Sequence, residues 1–309
     1  MNEIINGYRI VKDFSTQNAG MSRWGIAERD GEQLFIKEFL SPKYPADGAL
    51  PPEILWKKRR DCERFYQDRK RFYDALAACK TGNNVITKDF FRFKTKYYIT
   101  TEIVPAKMLT ARQIAALPAD VKMSLLKSIL FSIRALHENG LVHSDLKLDN
   151  ILLKPTSGGY YAAKIIDFDS GFLAADPPKG EDVVGDPVYF SPEAIRMILG
   201  DEVTLTEKID IFALGIVFHQ CWCGELPQFD GEFDSVSHAV LNDGVIRLAD
   251  TIPPQVRNLI RRMLSKQPEQ RPSAAEAFNF LCGKSETAAK PKEPEKPKGP
   301  EVIWMVPEL

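Results

Sequence analysis

Residues 143–150 read His143-Ser144-Asp145-Leu146-Lys147-Leu148-Asp149-Asn150, and Ile151-Leu152-Leu153 follow at once. Asp167-Phe168-Asp169 stands 17 positions past Asn150. Each string borders a short apolar run of strand length, residues 151–153 and 163–166, with the turn residues Ser157-Gly158-Gly159 between them. One loop therefore carries a carboxylate, Asp145, and an ammonium two positions later, Lys147. Asn150 and Asp167 add a carboxamide and a carboxylate oxygen, hard donors of the kind Mg²⁺ takes. A base near an attacking hydroxyl, a cation near a moving phosphate and ligands for a metal ion are what phosphoryl transfer requires.

Upstream, the first hundred residues read as strands around one helix. Residues 8–11, 24–27 and 33–39 alternate or run apolar, and Asp30-Gly31 forms a hairpin turn between the last two. A proline-rich stretch covers residues 41–52. Cys62, Phe65, Tyr66, Phe72, Tyr73, Leu76 and Cys79 then recur at helical spacing, and Gly82-Asn83-Asn84 stops the pattern. Two further strands are expected over 85–93 and 96–104. Downstream, helical periodicity dominates. Residues 121–139 form an amphipathic pattern stopped by Gly140, and 209–221 are apolar nearly all round, as for a helix buried in a core. Residues 254–264 and 273–281 read as closing helices. The expected fold class is α+β: a small antiparallel β lobe with one helix, then a large helical lobe.

Composition sets the outer bounds. The chain has 309 residues, 44% hydrophobic and 27% charged, with 41 basic and 42 acidic side chains and a net charge of −1. That is ordinary for a globular protein and gives no basic excess for holding a nucleic-acid backbone. Cys62, Cys79, Cys221, Cys223 and Cys282 are odd in number and widely spread, and are read as small thiols in a reducing compartment. The N-terminal residues carry Glu3 and no apolar run, and the longest apolar stretch, 211–218, is far below the ~20 residues that cross a bilayer. No membrane association and a cytoplasmic location are expected. Residues 284–300, rich in Lys, Pro and Glu, read as a linker. Residues 301–309 end the chain with Val302, Ile303, Trp304, Met305 and Val306, an apolar tail read as a segment for a partner of its own.

The two strings, with further segments in order, give the chain a specific resemblance. It resembles the protein kinase superfamily, in its eukaryotic-like serine/threonine branch as found in bacteria. His143-Ser144-Asp145 matches the family's His-Arg-Asp, and Asp167-Phe168-Asp169 its Asp-Phe-Gly. Ser191-Pro192-Glu193 matches the Ala-Pro-Glu that closes the activation loop. Asp210 and Gly215 match the start of the buried central helix, and Arg271 in Gln270-Arg271-Pro272 matches the late arginine that pairs with Glu193. The match runs over about residues 8–281. It implies a bilobal kinase fold over residues 1–283, with a β lobe at about 8–104, a hinge near 102–106 and a helical lobe at about 107–283. A five-stranded sheet is implied in the first lobe.

The resemblance also implies roles. Asp145 is the catalytic base and Lys147 the cation at the γ-phosphate, while Asn150 and Asp167 hold Mg²⁺. Lys37, in Phe35-Ile36-Lys37, grips the phosphates of ATP. Gly20 and Ser22 are what remains of the phosphate-covering glycine loop, Glu102 and Val104 read the adenine from the hinge behind Thr101, and Leu152 completes the nucleotide site. Trp24 and Phe35 replace smaller residues above the adenine. The helix residue that pairs with Lys37 is open between Glu63, Gln67 and Asp74. Ser144 stands in place of an arginine, and Ser170 is the only hydroxyl between Asp167 and Tyr189. A kinase that needs no loop phosphorylation is therefore expected, acting on Ser or Thr hydroxyls of proteins. Two rival readings remain: a pseudokinase that holds nucleotide without turnover, and a small-molecule phosphotransferase. The second leaves Glu193, Asp210 and Arg271 without a purpose.

Overall fold

A computed structural model of the chain describes residues 3–17, 22–79 and 83–284. Gly20, all of the expected linker except Lys284, and the apolar tail lie outside the described residues. The chain opens with six strands: β1 (Ile4–Ile5), β2 (Tyr8–Ser15), β3 (Ser22–Arg29), β4 (Glu32–Phe39), β5 (Thr87–Phe93) and β6 (Lys96–Glu102). They pair antiparallel in the order β1-β2-β3-β4-β6-β5. Among the described residues the sheet has six strands where five were expected. The extra edge strand comes from Asn6-Gly7, both at positive φ (50° and 84°), which fold Ile5 back onto Tyr8. Asn-Gly between apolar residues is the dipeptide a tight hairpin favours.

Strand β4 shows how the sheet sorts its side chains, since successive residues point to opposite faces. Leu34 and Ile36 join Tyr8, Ile10, Ala27, Phe91 and Tyr98 in an outer cluster. Glu38, on that same face, accepts from Arg23, Lys96 and Tyr98. The alternate residues Phe35, Lys37 and Phe39 face the other way, toward the helix and the cleft.

Helix α1 (Pro52–Ala78) is longer than its apolar spacing implied. It starts on a proline at its first position, where the missing N–H costs no hydrogen bond. It buries Cys62, Phe72, Tyr73 and Leu76, and on its sheet side Phe65, Tyr66, Tyr73, Phe90 and Tyr97 form a continuous aromatic layer. That layer runs into the core of the second lobe.

The second lobe begins with α2 (Ala111–Ala115) and α3 (Ala119–Glu138). Short strands β7 (Leu141–Val142), β8 (Ile151–Pro155), β9 (Tyr161–Ile165) and β10 (Phe172–Leu173) follow, paired β8 with β9 and β7 with β10. Helices α4 (Pro192–Ile198) and α5 (Lys208–Cys223) come next. The small pair β11 (Gln228–Phe229) and β12 (Ile246–Arg247) flanks α6 (Val236–Leu241), and α7 (Pro254–Met263) and α8 (Ala274–Leu281) close the lobe. Helix α5 lies at the centre and is buried on every side over residues 209–219. Among the described residues no helix is long and apolar enough to cross a membrane. Cys62, Cys79 and Cys221 are buried, Cys223 half-buried and Cys282 exposed, all as free thiols.

Candidate active site

Four segments meet between the lobes: β4, the turn between β7 and β8, the turn after β9, and the loop before α4. The β7–β8 turn carries Ser144 with φ of 68°, a conformation side chains other than glycine seldom adopt. What holds it is Asp210, the one acid within α5. Its carboxylate accepts from the backbone N–H of His143 (2.8 Å) and of Ser144 (2.9 Å), and its Oδ2 lies 3.0 Å from His137 Nε2. Burial pushes the Asp210 carboxyl up, but these hydrogen bonds and the nearby imidazoles outweigh it and leave its pKa lowered. A strained turn persists only when its surroundings over-determine it. Here a buried anion does so.

His143 is fully buried, its ring 4.9 Å from Phe168. Its Nδ1 accepts from Asp145 N (3.2 Å), so Nε2 is the donor to the Ile166 carbonyl at 2.9 Å. The imidazole thus ties the two turns together and is spent on structure.

Asp145 sits at the head of this turn with each oxygen engaged. Oδ2 lies 3.2 Å from Lys147 Nζ and accepts from Asn150 Nδ2 at 3.1 Å. Oδ1 accepts from the backbone N–H of Asp186 at 3.1 Å. Asn150 Nδ2 also donates to the Asp145 carbonyl (2.7 Å), which leaves the carboxamide oxygen as the atom free for a cation. Lys147 reaches the Asp186 carboxylate at 3.9 Å, so the acid at that position shares the lysine while its N–H steadies Asp145.

Across the cleft Lys37 Nζ lies 2.8 Å from Asp167 Oδ1 and 2.7 Å from Asp169 Oδ2. Asp167 has φ of 62°, which turns its carboxylate inward, and aspartate is among the residues that tolerate such a backbone. Burial works against the Lys37 ammonium, and the two carboxylates overcome it and raise its pKa. Burial also pushes both acids up. Lys37 draws Asp167 below the usual range, whereas Asp169, beside the Asp167 charge as well, stays above it.

The helix acid expected to pair with Lys37 is not there. Glu63 accepts from Gln67 on the exposed face of α1, and Asp74 pairs with Lys70 one turn away. The inward face of α1 instead presents Arg69, Phe72 and Tyr73, and Asp169 takes the lysine. Spacing alone placed Glu63, Gln67 and Asp74 on the helix but not which way they point. A signal was present: a carboxylate at the third position of Asp-Phe-Asp, where the resemblance has glycine, coincides with a helix lacking an acid at its inner face.

The remaining candidates hold these places. Ser22 starts β3, buried and paired with Phe39. Glu102 ends β6 and accepts from Lys164 at 3.2 Å. Val104 follows, its carbonyl accepting from Ala106 N (2.8 Å), and Lys107 pairs with Leu153, next to Leu152 on β8. These residues form the connection between the lobes along the rear of the cleft. In the roof, Trp24 and Phe35 stack on neighbouring strands with centroids 5.7 Å apart. Trp24 Nε1 donates to the Gln17 carbonyl (2.8 Å), anchoring the indole to the turn just after β2.

On the far side, Glu193 and Arg271 form a two-pronged ion pair (2.7 and 2.8 Å) with side chains 7% and 0% exposed. The pair fastens the end of the activation loop to the turn before α8.

The protein kinase domain family matches residues 57–280, more than half of the sequence. The chain belongs to the protein kinase family. Relatives include calcium-dependent protein kinase 24 of Arabidopsis thaliana, 25% identical over 73% of this chain and 40% of that protein. Serine/threonine-protein kinase PksC of Streptomyces coelicolor is 29% identical over 71% and 41%. A Wee1-like protein kinase of Oryza sativa subsp. japonica is 29% identical over 72% and 41%. The chain spans less than half the length of these relatives. Kinases of this family use ATP and a divalent metal ion. Lys37 lies ahead of the matched residues, so its placement rests on the salt bridge to Asp167.

Proposed function

We propose that the chain is a serine/threonine protein kinase, transferring the γ-phosphoryl group of ATP to a Ser or Thr hydroxyl of a protein, with residues 1–283 as its kinase domain. The observation that carries this reading is the convergence of Lys37, from the sheet, on Asp167, beside the interlocked set Asp145, Lys147 and Asn150. Asp145 orients the acceptor hydroxyl and takes its proton. Lys147, already 3.2 Å from that carboxylate, offsets negative charge as the phosphoryl group approaches. Lys37 holds the nucleotide phosphates with Ser22 on the strand above them, and the adenine lies between the Trp24–Phe35 pair and Leu152, read by backbone groups from Glu102 to Val104; the glycine-loop residue Gly20 is proposed to bind phosphate from its sequence position alone. Asn150 and Asp167 offer the carboxamide and carboxylate oxygens that suit Mg²⁺, which when bound neutralises phosphate charge. What this arrangement contributes is positioning and charge compensation, the main terms in such transfers.

Activity without loop phosphorylation follows from the same residues. Ser144, in place of arginine, offers no cation to a loop phosphate. The loop is already tied down: Arg71 meets Asp176 at 3.2 Å, β10 pairs with β7, and Asp186 N–H rests on Asp145. A second reading, nucleotide binding without turnover, is favoured by the aromatic pair in the roof. Incubation with labelled ATP, Mg²⁺ and a general protein substrate decides between them. Wild type is expected to transfer label and Asp145→Asn to lose at least a hundredfold, about what general-base catalysis supplies. Equal, near-zero transfer by both, with ATP still bound, would establish the second reading.

A further inference from the structure

The charges between α1 and the loop after β9 are exchanged relative to the arrangement the resemblance implies. The helix carries a cation where an acid was expected, and the loop carries an acid where glycine was expected. Arg69 donates from Nη1 to the Asp169 carbonyl and from Nη2 to the Gly171 carbonyl, both at 2.6 Å. Its guanidinium also lies over the Phe72 ring, at 5.3 Å. Tyr73, one position further on the same face, reaches Asp169 Oδ1 at 3.4 Å. The Asp169 side chain is therefore aimed at Lys37 by three contacts: the lysine itself, the tyrosine hydroxyl, and the arginine that fixes its backbone. The helix acids nearest in sequence are all engaged elsewhere, Asp68 with Arg71, Asp74 with Lys70 and Glu63 with Gln67.

We infer that Asp169 is the positioning residue that aims Lys37 at the nucleotide phosphates, in the role a helix glutamate would otherwise play, and that Arg69 clamps the loop to α1 so that this aim is permanent. The inference rests on the kinase reading for what Lys37 does, and adds how its place is regulated. An ion pair between a strand and a mobile helix can be broken by moving the helix, and remade by a partner or a phosphate that moves it back. An ion pair between the strand and a residue two positions from Asp167 cannot be separated from the metal-binding carboxylate itself. Whenever the loop is seated, both carboxylates reach the lysine. A helix whose own link to the loop is a five-donor guanidinium on two backbone carbonyls has no side-chain acid to withdraw. Assembly of this site is thus coupled to the seating of the loop on α1, with no separate helix acid to withdraw, which agrees with a loop lacking a phosphorylation switch.

The test uses the whole chain in five forms: wild type, Asp169→Asn, Asp169→Glu, Arg69→Ala and Glu63→Gln. Hydrogen exchange on the nucleotide-free proteins comes first, because it needs no turnover. Asp169→Asn and Arg69→Ala are expected to speed exchange over residues 168–173 by about tenfold or more, the factor carried by one hydrogen bond to a charged group. Asp169→Glu keeps the charge and recovers part of the protection, and Glu63→Gln exchanges as wild type. Titration with a fluorescent ATP analogue and Mg²⁺ then separates aim from folding. Asp169→Asn raises the apparent Kd and the KM for ATP while its melting temperature stays near that of wild type, and Glu63→Gln changes neither. Unchanged exchange in Asp169→Asn, or a loss of nucleotide affinity in Glu63→Gln, overturns the inference. Failure of the kinase reading has a different signature: Asp145→Asn would match wild type in phosphoryl transfer while the exchange differences persisted.

Discussion

Removing Arg271 should cost more stability than any other single polar change in the second lobe. All five of its N–H donors are used. Two go to the Glu193 carboxylate, and the others to the carbonyls of Ser265 (2.8 Å), Lys208 (2.9 Å) and Lys266 (3.2 Å). The side chain is fully buried, so water cannot replace what is lost. Breaking a buried ion pair from one side leaves an uncompensated charge, at about 3–5 kcal/mol. Arg271→Ala leaves Glu193 in that condition and three carbonyls without their donor. Since a domain has only about 5–15 kcal/mol in total, this one change removes about a fifth of it or more.

Arg271→Lys keeps the charge but offers three donors in place of a planar fork of five. At about 1 kcal/mol for each net hydrogen bond, it should fall about 2 kcal/mol below wild type. Urea titration followed by tryptophan fluorescence orders the variants, with Trp222 on α5 as a reporter in this lobe. In a thermal melt Arg271→Ala should unfold roughly 6–20 °C lower, at 2–4 °C per kcal/mol for a domain of this size. A Glu193→Gln/Arg271→Ala double variant should cost clearly less than the two single changes added, because the second substitution removes a charge the first had stranded. Strict additivity, or an Arg271→Ala cost below about 1 kcal/mol, is incompatible with a pair of this geometry.

Gly171→Ala should misplace the loop after Asp169, since a Cβ there would lie 2.4 Å from Phe72 Cζ and 3.0 Å from the Val142 carbonyl; loss of ATP binding at nearly unchanged helix content by circular dichroism is the expected result. The Asp210 carboxyl, held low when folded, stabilises the protein above its ordinary titration range, near pH 4, and that contribution fades as pH falls through the folded value. Asp210→Asn should therefore be less stable than wild type at pH 7, with the gap closing in acid-unfolding curves toward pH 3. Calorimetric titration with Mg·ATP at millimolar concentration should show binding, and Trp24→Val should alter its affinity, since the indole stacks on Phe35 in the roof; no heat of binding would remove nucleotide from the account. Mass spectrometry of active enzyme should find no phosphate over residues 168–190, and phosphatase treatment should leave its activity unchanged.

The difference between what the sequence disclosed and what it withheld follows from the distance over which each feature is specified. Asp145, Lys147 and Asn150 were legible because one loop carries them within six residues, and their interlocking is local. Helix α5 was legible because its apolar character is continuous, so no facing choice had to be made. The first hairpin was also local, and Asn6-Gly7 could have announced it. The partner of Lys37 was of another kind. Glu63, Gln67 and Asp74 all satisfy the requirement of standing on α1, and a 27-residue helix offers several faces; only packing decides which one turns inward. Phe72, nearly fully buried under the loop, decides it, and it brings Arg69 and Tyr73 inward with it. Once an arginine occupies the inner face, an acid on the loop is the arrangement that leaves no buried cation alone: Lys37 has Asp169, and Arg69 has the loop carbonyls. The two departures from the family pattern, an Asp after Phe168 and no inward helix acid, are for this reason one substitution distributed over two sites. Each is intelligible only when the other is in view.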